Sequence, residues 1–409
     1  MRPLFENIPF PLTFKIYIFN ITNPDDILNG NKPKLNEIGP YVFDEWKLRE
    51  DLVDDDSKDT ITFTLKQLFK FRPDLSNGLT GNEEVVVPNL VLLASTMTVK
   101  QEREAFLPTI IKAMHQIFGN VSSPFVRMRA MDYMFSGLEF NCSGTEFAAK
   151  VVCAAIRSEG IEQVWDGDEC NRLRGTDSTI FPPFLEPDDG LWTYTPDICM
   201  SLKAHYVRKS SYAGLPTSLY SINFGNFEDD EKKLCFCDGT CPPKGTIDLL
   251  PCLGSRIYGS KPHFLDADES LLRAVEGLHP NRSEHDVIVN FEAISGTPLS
   301  GAKRLQFSLA MEAIEEYEMM SKLPTAQLPL VWIEEVIKWI GIVSSMIGLI
   351  ISGFVFYNEH HNKVSVSSTA NNATRAVEAN GTSAKTLDDL IYLKNRVEEV
   401  QNSKNDEEN

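Results

Sequence analysis

The chain has 409 residues, 42% of them hydrophobic and 24% charged, which is long enough for a large core and too apolar to be mostly disordered. Its formal charge of -19 argues against a nucleic-acid partner and against a broad face for anionic lipid, since both need clustered Lys and Arg.

The opening stretch, MRPLFENIPFPLTFKIYIFN, carries neither a signal peptide nor a membrane span. FKIYIFNIT and, much later, HDVIVNFEAI read as strands. In TITFTLKQLFKF, Ile61, Phe63 and Leu65 alternate with Thr62, Thr64 and Lys66, the period of a half-buried strand. After Pro88 the period changes. In LPTIIKAMHQIFGN, Ile110, Ala113, Met114 and Ile117 recur at helical spacing, widened by Ile111 and Phe118, with Pro108 near the start and Gly119 at the end. A second helix is predicted over 146–157, with Phe147, Val151 and Ala155 on one face, a capping box from Ser143 and Glu146, and Gly160 to close it. Such stripes read first as core, although an apolar cap over a cavity has the same pattern.

All eight cysteines fall between residues 142 and 252: Cys142, Cys153, Cys170, Cys199, Cys235, Cys237, Cys241 and Cys252. Three of them lie in LCFCDGTCPP. A zinc site wants paired C-x-x-C spacings or a nearby His; the spacings here are C-x-C and C-x-x-x-C, so a disulfide framework is the favoured reading.

From Trp339 to Tyr357 the sequence WIGIVSSMIGLIISGFVFY holds nineteen residues without a charge, enough to span a bilayer, with aromatic residues at both ends. Lys338 and Lys363 flank it and do not orient it. Four glycosylation sequons, at Asn20, Asn120, Asn141 and Asn281, precede this run, as does every cysteine. They predict an exported part over 1–338, a transmembrane helix over 339–357 and a cytoplasmic tail over 358–409, leaving Asn372 and Asn380 unused. Export of so long a leading part calls for an N-terminal anchor, expected outside this sequence. The tail opens rich in Ser, Thr and Asn and reads as disordered, with a short amphipathic stretch through Leu387, Leu390, Ile391 and Val397. No G-x-S-x-G, H-E-x-x-H, phosphate-binding loop or G-x-G-x-x-G occurs, so an enzyme is not expected and no cofactor or metal is implied.

Longer blocks say more. PFPLTFKIYIFNITNPDDILNGNKPKLNEIGPYVFDEW resembles the first ectodomain segment of the class B scavenger receptor family. NRLRGTDSTIFPPF, LCFCDGTCPPKGTIDLLPC, KPHFLDADESLL and VNFEAISGTPLSGAKRLQF resemble later family blocks in the same order, from about Phe5 to Glu335. NCSGTEFAAKVVCAAIRSEGI and PLVWIEE are similar to the branch found in insect antennae. The resemblance implies an α+β, mainly β fold: an antiparallel β-barrel-like ectodomain, an apical helical bundle, an internal hydrophobic tunnel, and an anchor near each end. It implies a receptor or co-receptor in the plasma membrane of a sensory dendrite. Such a receptor takes a hydrophobic, pheromone-type small molecule from an extracellular carrier protein and passes it to an odorant receptor. At about 0.8 kcal/mol per CH₂, a tunnel spares a chain of a dozen carbons roughly 10 kcal/mol of hydration cost.

The same resemblance pairs Cys170 with Cys235, Cys199 with Cys252 and Cys237 with Cys241, leaving Cys142 for Cys153. Family members that bind fatty acids use apical lysines, for which Lys112 is the nearest candidate. Two junctions depart from the family, which usually carries several dozen more residues between Ile161 and Val164 and a further segment between Glu335 and Val336. Losing barrel strands there is expected to open the tunnel wall. A scavenger or adhesion receptor for lipoproteins or particles is the alternative reading, and a truncated, non-functional isoform the third.

Overall fold

Period-two alternation builds most of the chain into one long antiparallel sheet. The structure is a computed structural model and describes residues 5, 6, 8, 10–119, 121–138, 164–179, 181–237 and 239–338. The helix expected over 146–157, Asn120, Asn141, Cys142, Cys153, the run 339–357 and the tail therefore lie outside the described residues. Those described belong to one folded unit, Met1–Ser344.

The strands are β1 (Leu12–Ile21), β2 (Leu35–Asp55), β3 (Thr60–Phe71), β4 (Glu84–Pro88), β5 (Phe125–Arg129), β6 (Leu191–Thr195), β7 (Met200–Tyr212), β8 (Leu215–Ser221), β9 (Thr246–Asp248), β10 (Ile257–Ser260), β11 (Ile288–Glu292), β12 (Thr297–Met311) and β13 (Ala326–Lys338). The main sheet runs β3-β2-β1-β13-β12-β11-β8-β7-β6, with β10 and β9 added beside β12, while β4 and β5 pair separately. Its ladders are antiparallel throughout. The sheet curls, and its inward face carries Ile16, Ile18, Tyr41 and Phe43, all buried. The expected mainly β, α+β architecture is thus present as a curled antiparallel sheet with few helices.

Two differences from the sequence reading have physical causes. β3 forms where predicted but is an edge strand, so Leu65, expected to be half-buried, is 38% exposed. At the Glu335–Val336 junction β13 does not break. Glu335 pairs with Phe14 and Lys303, and Val336 continues the register to Thr13 and Ala302. The chain closes this part of the wall with the residues it has.

The helical insert is a pair. α1 (Leu90–Arg103) begins at Asn89, whose side chain accepts from the Leu92 amide, and α2 (Leu107–Phe118) follows after one 3-10 turn. Leu92, Leu93 and Met97 pack with Ile110, Ala113, Met114 and Ile117 over Leu309 and Met311, at the C-terminal end of β12.

The outward face of the central strands is covered by segment 261–286. Tyr17 stacks on Trp332 at 3.7 Å, a contact that needs Gly39, because a Cβ there would sit 2.5 Å from the Tyr17 ring. Trp332 donates its indole N–H to Glu37, and so does the Nε2 of His263, whose Nδ1 accepts from the His279 amide. The His285 ring stacks on His263 at 4.2 Å. Burial, then the neighbouring His263, hold His285 down at about 4. Lys261 is only 2% exposed and is neutralised by Asp266 at 2.9 Å and Asp286 at 2.6 Å.

Among the described residues, the free ends of the sheet meet through side chains rather than through a ladder. Arg49, on β2, is 5% exposed and pairs with Asp177, and its guanidinium also donates to Thr179 and to the Phe5 carbonyl. Its flat face lies 4.4 Å from the Phe5 ring centroid and 5.5 Å from that of Phe63. Asp177 follows Thr176, which bridges to Thr193 of β6. Arg49 is the buried partner, so Asp177→Ala, which strands its guanidinium, is expected to cost about 3–5 kcal/mol, and Arg49→Ala, which leaves the partly exposed Asp177, less on electrostatic grounds. Chemical denaturation checks this, and a double-mutant cycle with Asp177→Ala should show strong coupling rather than additivity.

Candidate ligand cavity

The inward face is divided by polarity. On β2 the alternation that points Tyr41 and Phe43 inward continues through Glu45, Lys47 and Arg49, replacing an apolar wall by charge. Lys47 bridges Glu335 at 2.7 Å and Glu45 at 3.6 Å, and Lys303 on β12 reaches Asp197 at 2.8 Å. Burial works against the Lys47 ammonium, but Glu335 and Glu45 outweigh it and hold its pKa above the usual value. Burial likewise works to raise Asp197, and Lys303 outweighs it. Glu45 differs. It is 1% exposed; Gln67 donates to its Oε1 at 2.8 Å, and its Oε2 has no hydrogen-bond partner among the described residues. Burial and then the Glu335 charge push it up to about 7 against Lys47 and Gln67.

Beyond this belt lies an apolar cavity of about 60 Å³ between β6, β7, β11, β12 and the segment that follows β8. Leu191, Leu202, Ala204, Ile222, Val289 and Leu305 form most of its wall, and Ile337 of β13 and Phe181 close one end. Its polar atoms are few: Thr193, hydrogen-bonded to Ser178, together with Thr195 and Lys303. At about 60 Å³ it is smaller than the ~150 Å³ cavity that takes benzene, so it can receive one end of an apolar chain, with any polar group toward Lys303, but not the whole of a long one. Among the described residues no group of His, Cys, Asp and Glu is arranged to hold a metal.

The cavity sits beside Gly301 and Ala302, where β12 pairs with the last residues of β13. The helices pack over Leu309 and Met311, beginning four residues beyond the cavity-lining Leu305, roughly 13 Å farther along β12 at strand rise. Lys112 is exposed on α2, at that far end, and does not line the cavity. The cavity-lining residues come from seven separate segments; the strand reading of HDVIVNFEAI took in two of them, Val287 and Val289, and no local pattern brought the rest together.

Among the described residues three disulfides are present: Cys170–Cys235, Cys199–Cys252 and Cys237–Cys241. They tie the segments around β6, β7 and β9 and pack with Trp165, Ile198, Phe224, Phe227 and Leu249. Of the described sequons, Asn20 is half-buried in β1 and its side-chain oxygen accepts from the Val86 amide at 2.7 Å. Asn281 is exposed at a helix start, with its oxygen held by the Ser283 amide and hydroxyl.

The sequence model of the CD36 family matches residues 1–157 and 154–359. The chain belongs to the CD36 family, the class B scavenger receptors. It is 41% identical over 460 residues to sensory neuron membrane protein 1 of Aedes aegypti, covering 94% of this chain and 84% of that protein. The corresponding protein of Anopheles gambiae is 40% identical over 439 residues, with 88% and 80% covered, and that of Plutella xylostella 38% over 386, with 82% and 74%. The first alignment is longer than the chain itself, so the mosquito protein has stretches without a counterpart here.

Two outcomes follow. Glu45 has a folded pKa above its unfolded one, so its contribution is full below about 4.5 and is lost as pH rises through about 7. Glu45→Gln should therefore equal the parent at pH 4 and exceed it at pH 8 by about 1–3 kcal/mol, read from denaturation midpoints at both pH values. In insect-cell expression, Asn281→Gln should lose one glycan on an electrophoretic shift, while Asn20→Gln should migrate as the parent.

Proposed function

We propose that the chain is a membrane-anchored receptor or co-receptor that holds one end of a lipid-derived apolar ligand in the cavity between β7 and β12, and that it works by binding and transfer rather than catalysis. The observation that carries this reading is the cavity itself: an almost wholly apolar space inside a sheet whose neighbouring interior is charged. Apolar space bounded by charge selects ligands by desolvation, since a polar molecule gains nothing there and leaves its own groups unpaired. Ile337, in its wall, is followed after one residue by the uncharged run 339–357. With that run as the transmembrane helix, 1–338 as the outer part and 358–409 as the inner tail, the cavity lies near the bilayer surface, and the ligand has a short path into lipid. Similarity to sensory neuron membrane protein 1 supports a sensory neuron membrane; a dendritic location, a pheromone-type ligand, an extracellular carrier that delivers it and an odorant receptor that accepts it belong to the proposal. Lys112, at the helical end, is then a candidate for the entry side rather than for the cavity.

The test is displacement of a fluorescent long-chain alcohol from the full chain in detergent. Ala204→Phe fills the cavity and should weaken binding by about tenfold or more, a loss of at least 1.4 kcal/mol. Overpacking costs about 1–3 kcal/mol of stability, so near-ultraviolet circular dichroism accompanies the measurement. Ile222→Ala, which enlarges the cavity, should shift preference toward longer chains. Unchanged affinity and preference in both folded variants would contradict the reading.

A further inference from the structure

A second cavity, of about 270 Å³, opens on the other side of β6 and β7. The two adjoin: Leu191 and Ala204 line only the apolar cavity and Trp192, Ser201, Lys203 and His205 only this one, as strand alternation directs, while Leu202, Ile222 and Phe224 form the wall between them. The disulfide-bonded segments complete it. Arg172 and Arg174 follow the helix Asp168–Asn171, and Lys232 and Lys233 lie on the 3-10 helix Glu231–Phe236. Cys170–Cys235 joins these two pieces directly, with Cα atoms 5.9 Å apart.

Five permanent cations thus line one concavity on a chain of formal charge -19, against two carboxylates, Glu169 and Asp230. Glu169 pairs with Arg174, and Asp230 approaches Lys233 only at 3.9 Å. Among the described residues, Arg172, Lys203 and Lys232 have no carboxylate in ion-pair range. Burial, then Lys203 and Lys233, hold the His205 imidazole below its ordinary range, as a positive field requires.

The arrangement is also fixed before anything binds. The Arg174 guanidinium lies 4.8 Å from the centroid of the Trp192 ring and the Lys203 ammonium 5.8 Å from it. The Arg174 amide donates to Ser201 at 2.9 Å. Gly175, at φ +77°, lets this segment lie against β6, where a Cβ would come within 1.9 Å of the Trp192 carbonyl oxygen. Asp230 caps the 3-10 helix through the Lys232 amide. Like charges held together by a disulfide and by strand contacts repel one another, and a polyvalent anion relieves that repulsion. Arginine forks match tetrahedral oxyanions in particular.

We propose that this pocket, bounded by Arg172, Arg174, Lys203, Lys232 and Lys233, is a binding site for a phosphate-bearing ligand, distinct from the apolar cavity. A phospholipid headgroup and a soluble phosphate offer the same chemistry.

The experiment is calorimetric titration of the full chain in non-ionic detergent with inorganic pyrophosphate, followed in parallel by Trp192 fluorescence. One saturable site is expected, weakening as salt rises. Arg172→Ala with Lys232→Ala should weaken it by about tenfold or more, whereas Lys32→Ala and Lys209→Ala, surface cations outside the pocket, should leave it unchanged. Arg172 and Lys232 are exposed, so these variants should keep the parent melting temperature. Short-chain phosphatidate binding more tightly than glycerol phosphate would identify lipid as the source, and equal affinity a soluble phosphate. Absence of saturable pyrophosphate binding, or equal loss in the surface controls, would overturn the proposal.

Discussion

Among the described residues, closure of the sheet centres on one buried guanidinium. β3 and β6, at opposite ends of the strand order, share no ladder, and Arg49 joins the β2 end to the segment beside β6 through Asp177 and Thr179. A curled sheet held by a ladder at every seam gains stability with each residue. One held by a single ion pair depends on that pair being fully partnered, because a buried cation with a lost acid costs far more than the pair contributes. The Phe5 and Phe63 rings and the Phe5 carbonyl complete the Arg49 environment, so the first described residues of the chain take part in the closure.

The belt of charge next to that seam sets what the interior can hold. Glu45, Lys47, Glu335, Lys303 and Asp197 lie between the packed cluster around Phe43 and the apolar cavity around Leu305. This gives the cavity a polar boundary on one side and hydrocarbon on the others. It also stores strain of an electrostatic kind, since Glu45 and Glu335 share one ammonium. The disulfides act on the opposite side of β6 and β7, so the same two strands form the wall of an apolar space and of a basic one.

What was legible in the sequence follows from how local each signal is. β1, β11 and α2 announce themselves because alternation or helical stripes lie within a dozen residues. α1 was missed: its apolar run LVLLASTM has no clean stripe, and the available signal was Asn89 as a cap. β13 was not read because its QLPLVWIEEVIK mixes both faces of a strand covered on each side. The Arg49–Asp177 seam joins residues 128 apart, and no local pattern encodes it. The basic pocket is likewise scattered over three segments and hidden by an overall charge of the opposite sign. The family was legible from whole blocks of sequence, whereas the position of the cavity needed the register of β12 against β13.

Locating a bound ligand tests the central claim most directly, that apolar ligands are held inside the curled sheet and not beneath the helices. Crystals of the protein carrying a long-chain alcohol brominated at its far end would give an anomalous signal at the bromine. The account predicts that signal between β7 and β12, within contact of Leu305 and Ile222. A bromine found against α1 and α2, or on the surface alone, would contradict it.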